Sequence, residues 1–205
     1  MEFHRYLGIS YKAAWRMKHK LMQVMLERDQ AQPLSGWIEE DDAYIGGEWT
    51  GCKRGRGTAD KTPFIAAVET TTDGKPLKIK LTVLSGFRKK AIAEWTKQHV
   101  LPESTIFSDG LGCFNGISDA DCDHVKIVCG GGRASIEKLE FYWVNTTLGN
   151  LKSALRSTYH AVRKKYLQRY LSEFQYRFNR RFDLKNFIPR RMFVSVRTPT
   201  MPDAC

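Results

Sequence analysis

The chain has 205 residues, 42% hydrophobic and 12% aromatic, enough apolar material for one packed core, which excludes a disordered chain. It holds no apolar run of the roughly 18 residues that a membrane-spanning helix needs, and its opening MEFHRYLGIS lacks the apolar centre of a secretion signal. The net charge is +11, and residues 150–205 carry 13 Lys/Arg against Glu173, Asp183 and Asp203 alone, which points to a polyanionic partner, nucleic acid above all.

In chain order, residues 1–28 read as a short helix end, a turn at Leu7-Gly8-Ile9, and a helix capped by Ser10 that runs to about Glu27. The stretch LGISYKAAWRMKHKL has the form of the second half of a helix-turn-helix, although Trp15, Leu21, Met22 and Met25 could equally be a core stripe. After the linker DQAQPLSG, GWIEEDDAYIGG predicts a strand, and CKRGRGTADKT a glycine-rich basic loop. FIAAVET (64–70), the turn at Asp73-Gly74 and LKIKLTVL (77–84) predict a hairpin. A helix follows over 89–100, with strands at 105–109 and 124–129. From about Glu137 the chain reads as almost continuous helix to Phe182. That order predicts an α/β fold with a mixed sheet, three antiparallel strands then parallel ones, flanked by helices.

Glu39, Glu40, Asp41 and Asp42 form a run of four acids that repel one another and need solvent or a cation. Strand alternation alone does not say which of them matters. A second acid, Asp109, ends the 105–109 strand before Gly110; by itself it is equally a turn residue. In WVNTTLGNLKSALR, Val144, Leu148, Leu151 and Leu155 make an apolar helical stripe, while Asn145, Gly149, Lys152 and Arg156 share a neighbouring face. That face could set an amide oxygen beside the two aspartates and cations beside a phosphodiester; equally, Asn145 is a helix cap and Lys152 a solvated lysine. Five scattered cysteines with no C-x-x-C spacing fit reduced thiols, and Cys122-Asp123-His124 with Cys129 gives only a faint metal-ligand pattern.

EDDAYIGG, KRGRGTADKTP, SDG and WVNTTLGNLKSALRSTYHAVRKKYLQRYLSEFQYRFNRRFDL together closely resemble the ISXO-like insertion-sequence transposases, RNase H-like recombinases of the branch with two aspartates and an asparagine. The resemblance runs over essentially the whole chain. It implies a DNA transposase that catalyses metal-dependent DNA cleavage and strand transfer. Its first aspartate, three residues before the tyrosine of Tyr-Ile-Gly-Gly, is Asp41; its second is Asp109; its third position is Asn145, seven before Lys152. Asp41, Asp109 and Asn145 are thereby expected to hold a pair of Mg²⁺ (or Mn²⁺) ions, with Lys152 at the scissile phosphate. Family members often have Glu-Thr after the first aspartate, where this chain has Asp42-Ala43. Expected DNA contacts are Lys53, Arg54 and Arg56 on the basic loop, and Arg156, Arg163, Lys164, Lys165, Arg169, Arg180 and Arg181 on the late helices. Among the aromatics interleaved with them, Tyr166, Tyr170, Phe174 and Phe178 recur at helical spacing and are read as core ahead of base-stacking surface.

The expected organisation is a partial helix-turn-helix over 1–30, a catalytic domain over 36–182 and a tail over 183–205. Relatives usually carry a zinc ribbon and a whole helix-turn-helix ahead of the catalytic domain, and no C-x-x-C is present here. The rival expectation is therefore a catalytically silent, truncated DNA-binding remnant or an inhibitor of the full-length transposase. The partners implied are the element's ends and target DNA, with a homo-oligomer assembled on DNA and no membrane. The expected location is the cytoplasm of a bacterium, at the nucleoid.

Overall fold

The computed structural model describes residues 2–46, 61–127, 139–159, 162–183 and 185. Five strands form one mixed sheet: β1 (Trp37–Ile45), β2 (Thr62–Thr70), β3 (Pro76–Val83), β4 (Thr105–Asp109) and β5 (Asp123–Ile127). Their spatial order is β3-β2-β1-β4-β5. β1, β2 and β3 pair antiparallel, and β4 and β5 run parallel to β1, the RNase H-like arrangement. The tight turn before β3 needs Gly74 at φ +71°, and its N–H donates to the Thr71 carbonyl at 2.9 Å.

Helices cover both faces. α1 (Glu2–Leu7) and α2 (Tyr11–Gln30) come first, with the Ser10 hydroxyl accepting the Ala13 N–H at the start of α2. α3 (Lys89–His99) and a 3₁₀ segment (Gly112–Ala120) lie on one face. Ile38, Ile65, Ala67 and Ile106 from the sheet pack there with Ile92, Trp95, Phe114 and Ile117. α4 (Tyr142–Tyr159) and α5 (Leu167–Asn179) lie on the other face, with a 3₁₀ turn (Lys164–Tyr166) leading into α5. Ala43, Phe64, Ala66 and Val68 pack there with Val144, Leu148, Leu151, Leu155 and Leu171. β2 is thus buried on both faces, which is why FIAAVET is nearly continuous in apolar residues. The 3₁₀ segment lies so close to α3 that a Cβ on Gly116 would fall 2.3 Å from the Lys89 carbonyl oxygen.

The expected near-continuous helix from Glu137 is instead two helices, α4 and α5. Arg163 is extended (φ −70°, ψ 140°), although no glycine or proline marks the break. The two helices have different tasks: α4 covers the sheet face, whereas α5 lies along the open edge of β3. Side-chain amides of α5 take the place of a sixth strand there. Asn179, Gln175 and Gln168 accept the N–H groups of Ile79, Leu81 and Val83 at 2.7–2.8 Å, and Asn179 and Gln168 donate back to the Ile79 and Leu81 carbonyls. An edge strand that would otherwise offer bare hydrogen-bonding groups is therefore closed.

α2 runs beside α5 in the same direction. Trp15 meets Tyr166, Gln23 accepts from Arg169, and Asp29 meets Gln175, Asn179 and Arg180. Met22 and Met25 are 1% exposed, so this part of the possible recognition helix is core. No helix among the described residues is long and apolar enough to cross a membrane.

Candidate functional site

β1 is the strand at which the sheet changes direction: its chain partner β2 lies on one side and the later, parallel β4 on the other. Crevices form at the carboxyl ends of strands at such a point. Pairing of β1 with β4 stops at Glu40↔Ser108, whereas pairing with β2 continues to Ile45↔Thr62. Among the described residues, one edge of β1 is consequently open from Asp41 onward, level with the end of β4 at Asp109.

The carboxylates of Asp41, Asp42 and Asp109, all half-buried, meet at this opening, with one oxygen from each lying within 4.8 Å of the others. Adjacent residues on a strand normally point to opposite faces. Asp41 and Asp42 can converge because, among the described residues, no strand pairs with β1 beyond Glu40 on that side. Asp41 Oδ1 also folds back to accept the Asp42 N–H at 2.8 Å. Asp109 is held by its own turn, Oδ1 accepting the Leu111 N–H at 3.0 Å. The strand beneath it is fastened by Ser108, whose hydroxyl donates to the Asp109 carbonyl and is hydrogen-bonded with His124 Nε2 at 2.7 Å. Burial pushes the His124 imidazole below its ordinary value, with Lys126 adding to the effect. Three like charges at one opening repel, and hard carboxylate oxygens in that arrangement suit a divalent cation of the Mg²⁺ type.

The neighbouring acids have different surroundings. Glu39 shares the α4 face of β1, and its Oε2 accepts the Val144 N–H at 2.8 Å in the first turn of α4. A carboxylate at a helix N-terminus meets unsatisfied N–H groups and the positive end of the dipole. Burial raises the Glu39 carboxyl to about 7, and the N–H groups of Val144 and Trp143 restrain that rise. Glu40 faces the α3 side, is 0% exposed, and among the described residues neither of its oxygens has a hydrogen-bond partner. Burial first, and Asp41 second, push its carboxyl up to about 8. Neither role is marked in the run of four acids, from which the family resemblance picks out Asp41 alone. The period-2 pattern of Glu39, Asp41 and Ala43 could have signalled the shared face of Glu39 and Asp41.

Asn145 follows the residue that Glu39 holds and is half-buried, so a direct contact from β1 sets the entry of its helix. Lys152 and Arg156 lie farther along α4 and are exposed; Gly149 leaves open space between Asn145 and Lys152. Arg163, Lys164 and Lys165 are exposed together around the turn before α5. Arg169 in α5, and Arg180 and Arg181 just beyond it, are held within the chain. Arg169 donates to Gln23, Arg180 pairs with buried Asp29 at 2.6 Å and lies over the Tyr176 ring, and Arg181 donates to the carbonyls of Pro76 and Leu77. Lys53, Arg54 and Arg56 fall outside the described residues. Cys122 lies 3.4 Å from the Ala120 carbonyl and His124 is bound to Ser108, while Cys129 also falls outside.

Solved structures that match include a Mos1 strand transfer complex, 9% identical, with 80% of this chain and 59% of that chain covered at a TM-score of 0.35. A Mos1 mariner paired-end complex with Mn is also 9% identical, with 89% and 63% covered at a TM-score of 0.31. This chain thus spans about three-fifths of those chains, and likeness this slight says nothing of its site. No protein with a curated description matches. The model of the ISXO2-like transposase domain matches residues 33–179, which include all five strands, α3, α4 and α5. The chain belongs to the ISXO2-like transposase family.

Proposed function

We propose that this chain is a polynucleotidyl transferase that cleaves DNA and transfers strands of an insertion sequence, using a pair of Mg²⁺ or Mn²⁺ ions. The observation that carries this reading is the meeting of the Asp41, Asp42 and Asp109 carboxylates at the open edge of β1. Asp41 and Asp109 hold the metal, and Asn145 offers a neutral amide oxygen. Asp42 is a further ligand or a charge that raises local cation affinity. Bound ions would activate water or a 3′-hydroxyl and stabilise the leaving oxygen in an in-line displacement. An asparagine at the third position removes one negative charge and weakens the hold on metal compared with three carboxylates.

The protein's other residues bind and orient the strand. Lys152, with Arg156, neutralises phosphate charge near the scissile bond. Exposed Arg163, Lys164 and Lys165 grip the backbone of the element's end or the target, as do Lys53, Arg54 and Arg56 on the basic loop. Binding of this kind weakens steeply with salt. The working species is a homo-oligomer on DNA.

The test is cleavage of supercoiled plasmid and joining of a 3′-hydroxyl oligonucleotide in Mg²⁺ or Mn²⁺. Asp41→Asn and Asp109→Asn should each abolish both reactions while DNA retention persists. Unchanged strand transfer in either variant would sink the assignment. A wild-type chain that retains DNA and cleaves none with either ion would identify the rival, a silent DNA-binding remnant or inhibitor.

A further inference from the structure

A cavity of about 500 Å³ lies between the first turns of α2 and the turn leading into α5, lined by Tyr11, Lys12, Trp15, Arg163, Tyr166 and Tyr170. Its size is in the range of small-ligand sites, roughly 300–1,000 Å³. Four of the six lining residues are aromatic. Trp15 and Tyr166 meet edge to face at 5.2 Å, and buried His19 packs behind them against Trp15, Tyr166 and Tyr170. Tyr11 is 61% exposed, and Trp15, Tyr166 and Tyr170 are half-buried, so this aromatic wall is only partly covered by the core.

The two remaining lining residues are exposed cations, and no acid is among the six. Aromatic walls alone would suit many planar or cationic ligands. Lys12 and Arg163 repel a cation and select an anion. A nucleotide combines both properties, its base against the rings and its phosphate against the cations. Lys164 and Lys165 continue the positive charge beyond Arg163, which favours a strand over a free nucleotide.

We propose that this cavity holds an unpaired nucleotide of a DNA strand, with the base on Trp15 and the tyrosines and a flanking phosphate on Lys12 and Arg163. The assignment rests on the proposed reading that DNA is the partner. It adds a preference for unpaired over paired DNA that the acidic site does not require.

The test is fluorescence anisotropy of the full chain, in chelator, with a blunt duplex and with the same duplex carrying a short 3′ thymine overhang. One stacked base should tighten binding of the overhang by about 5- to 150-fold. Tyr11→Ala and Lys12→Ala alter exposed side chains that the fold does not need. Each should erase most of that preference while binding of the blunt duplex falls far less. A 2-aminopurine placed in the overhang should be quenched by the wild type and not by Tyr11→Ala. Equal affinity for both duplexes, or a preference untouched by both variants, overturns the cavity assignment and leaves the acidic site standing. Failure to bind either duplex overturns both readings. Displacement of the overhang by free thymidine monophosphate as readily as by a thymine strand would make this a free-nucleotide site and overturn the strand assignment.

Discussion

Replacing Glu40 by glutamine should stabilise the metal-free protein, and the gain should grow with pH. Glu40 lies in β1 with no exposed surface and, among the described residues, no partner for either oxygen; burial, and then Asp41, raise its carboxyl from 4.5 to about 8. The folded protein therefore keeps a proton on Glu40 that the unfolded chain has released. For an acid raised in this way, stability is fully present below about 4.5 and is lost as pH rises towards 8. The loss is about 1.4 kcal/mol for each pH unit in that window, or about 3 kcal/mol at pH 7 and about 5 kcal/mol above pH 8. Glutamine has nearly the same shape and cannot ionise. Urea denaturation of both proteins in chelator at pH 5, 7 and 8.5 reads the difference directly, since titration of Glu39 and the histidines is common to both. A stability difference that stays constant over that range would refute burial as the cause.

Three other consequences can be measured. Glu39→Ala removes the acceptor of the Val144 N–H and should cost about 1 kcal/mol of stability, as loss of a helix cap does, and slow single-turnover cleavage by loosening the helix that carries Asn145. Glu39→Gln keeps an acceptor and should restore most of both; cleavage as slow as in Glu39→Ala would show that the charge, and not the position of α4, is what matters. Gln175→Leu removes the acceptor of the Leu81 N–H and one of the two amides that donate to Asp29 Oδ2, Asn179 being the other, and should lower the unfolding free energy by about 2 kcal/mol with faster amide exchange at Leu81. Unchanged exchange there would mean that α5 does not close the β3 edge. Gly116→Ala forces a methyl group against the Lys89 carbonyl and should cost about 1–3 kcal/mol in thermal denaturation; a neutral result would show that the 3₁₀ segment can retreat from α3.

The Ser10 cap and the Val144–Leu155 stripe were readable because each depends on local spacing, and each has the placement that its pattern dictates. What stayed hidden depends on pairing register. The early end of β4 opens the edge of β1 at Asp41, and nothing in EEDDAYIGGE records where another strand stops. Alternation alone would therefore separate Asp41 from Asp42, whereas their carboxylates meet. The break before α5 has no glycine or proline to announce it; it follows from the need to leave the sheet face and reach the β3 edge. Gln168, Gln175 and Asn179 stood within a family signature without a physical role until that edge was visible. Arginine composition gave the sign of the late helices correctly and overstated how many guanidinium groups face outward. Arg169, Arg180 and Arg181 bind side chains or carbonyls of α2, α5 and β3.

The central proposal is that Asp41 and Asp109 hold divalent metal where the open edge of β1 meets the end of β4. Mn²⁺ titration of the full chain, followed by electron paramagnetic resonance of the free ion, tests it without any DNA substrate. Mn²⁺ should be taken up by the wild type, be displaced by Mg²⁺, and be lost or much weakened in Asp41→Asn and in Asp109→Asn. Asp119→Asn, which alters an exposed acid paired with Lys89, should bind like the wild type. Uptake by both site variants at wild-type affinity would contradict the account.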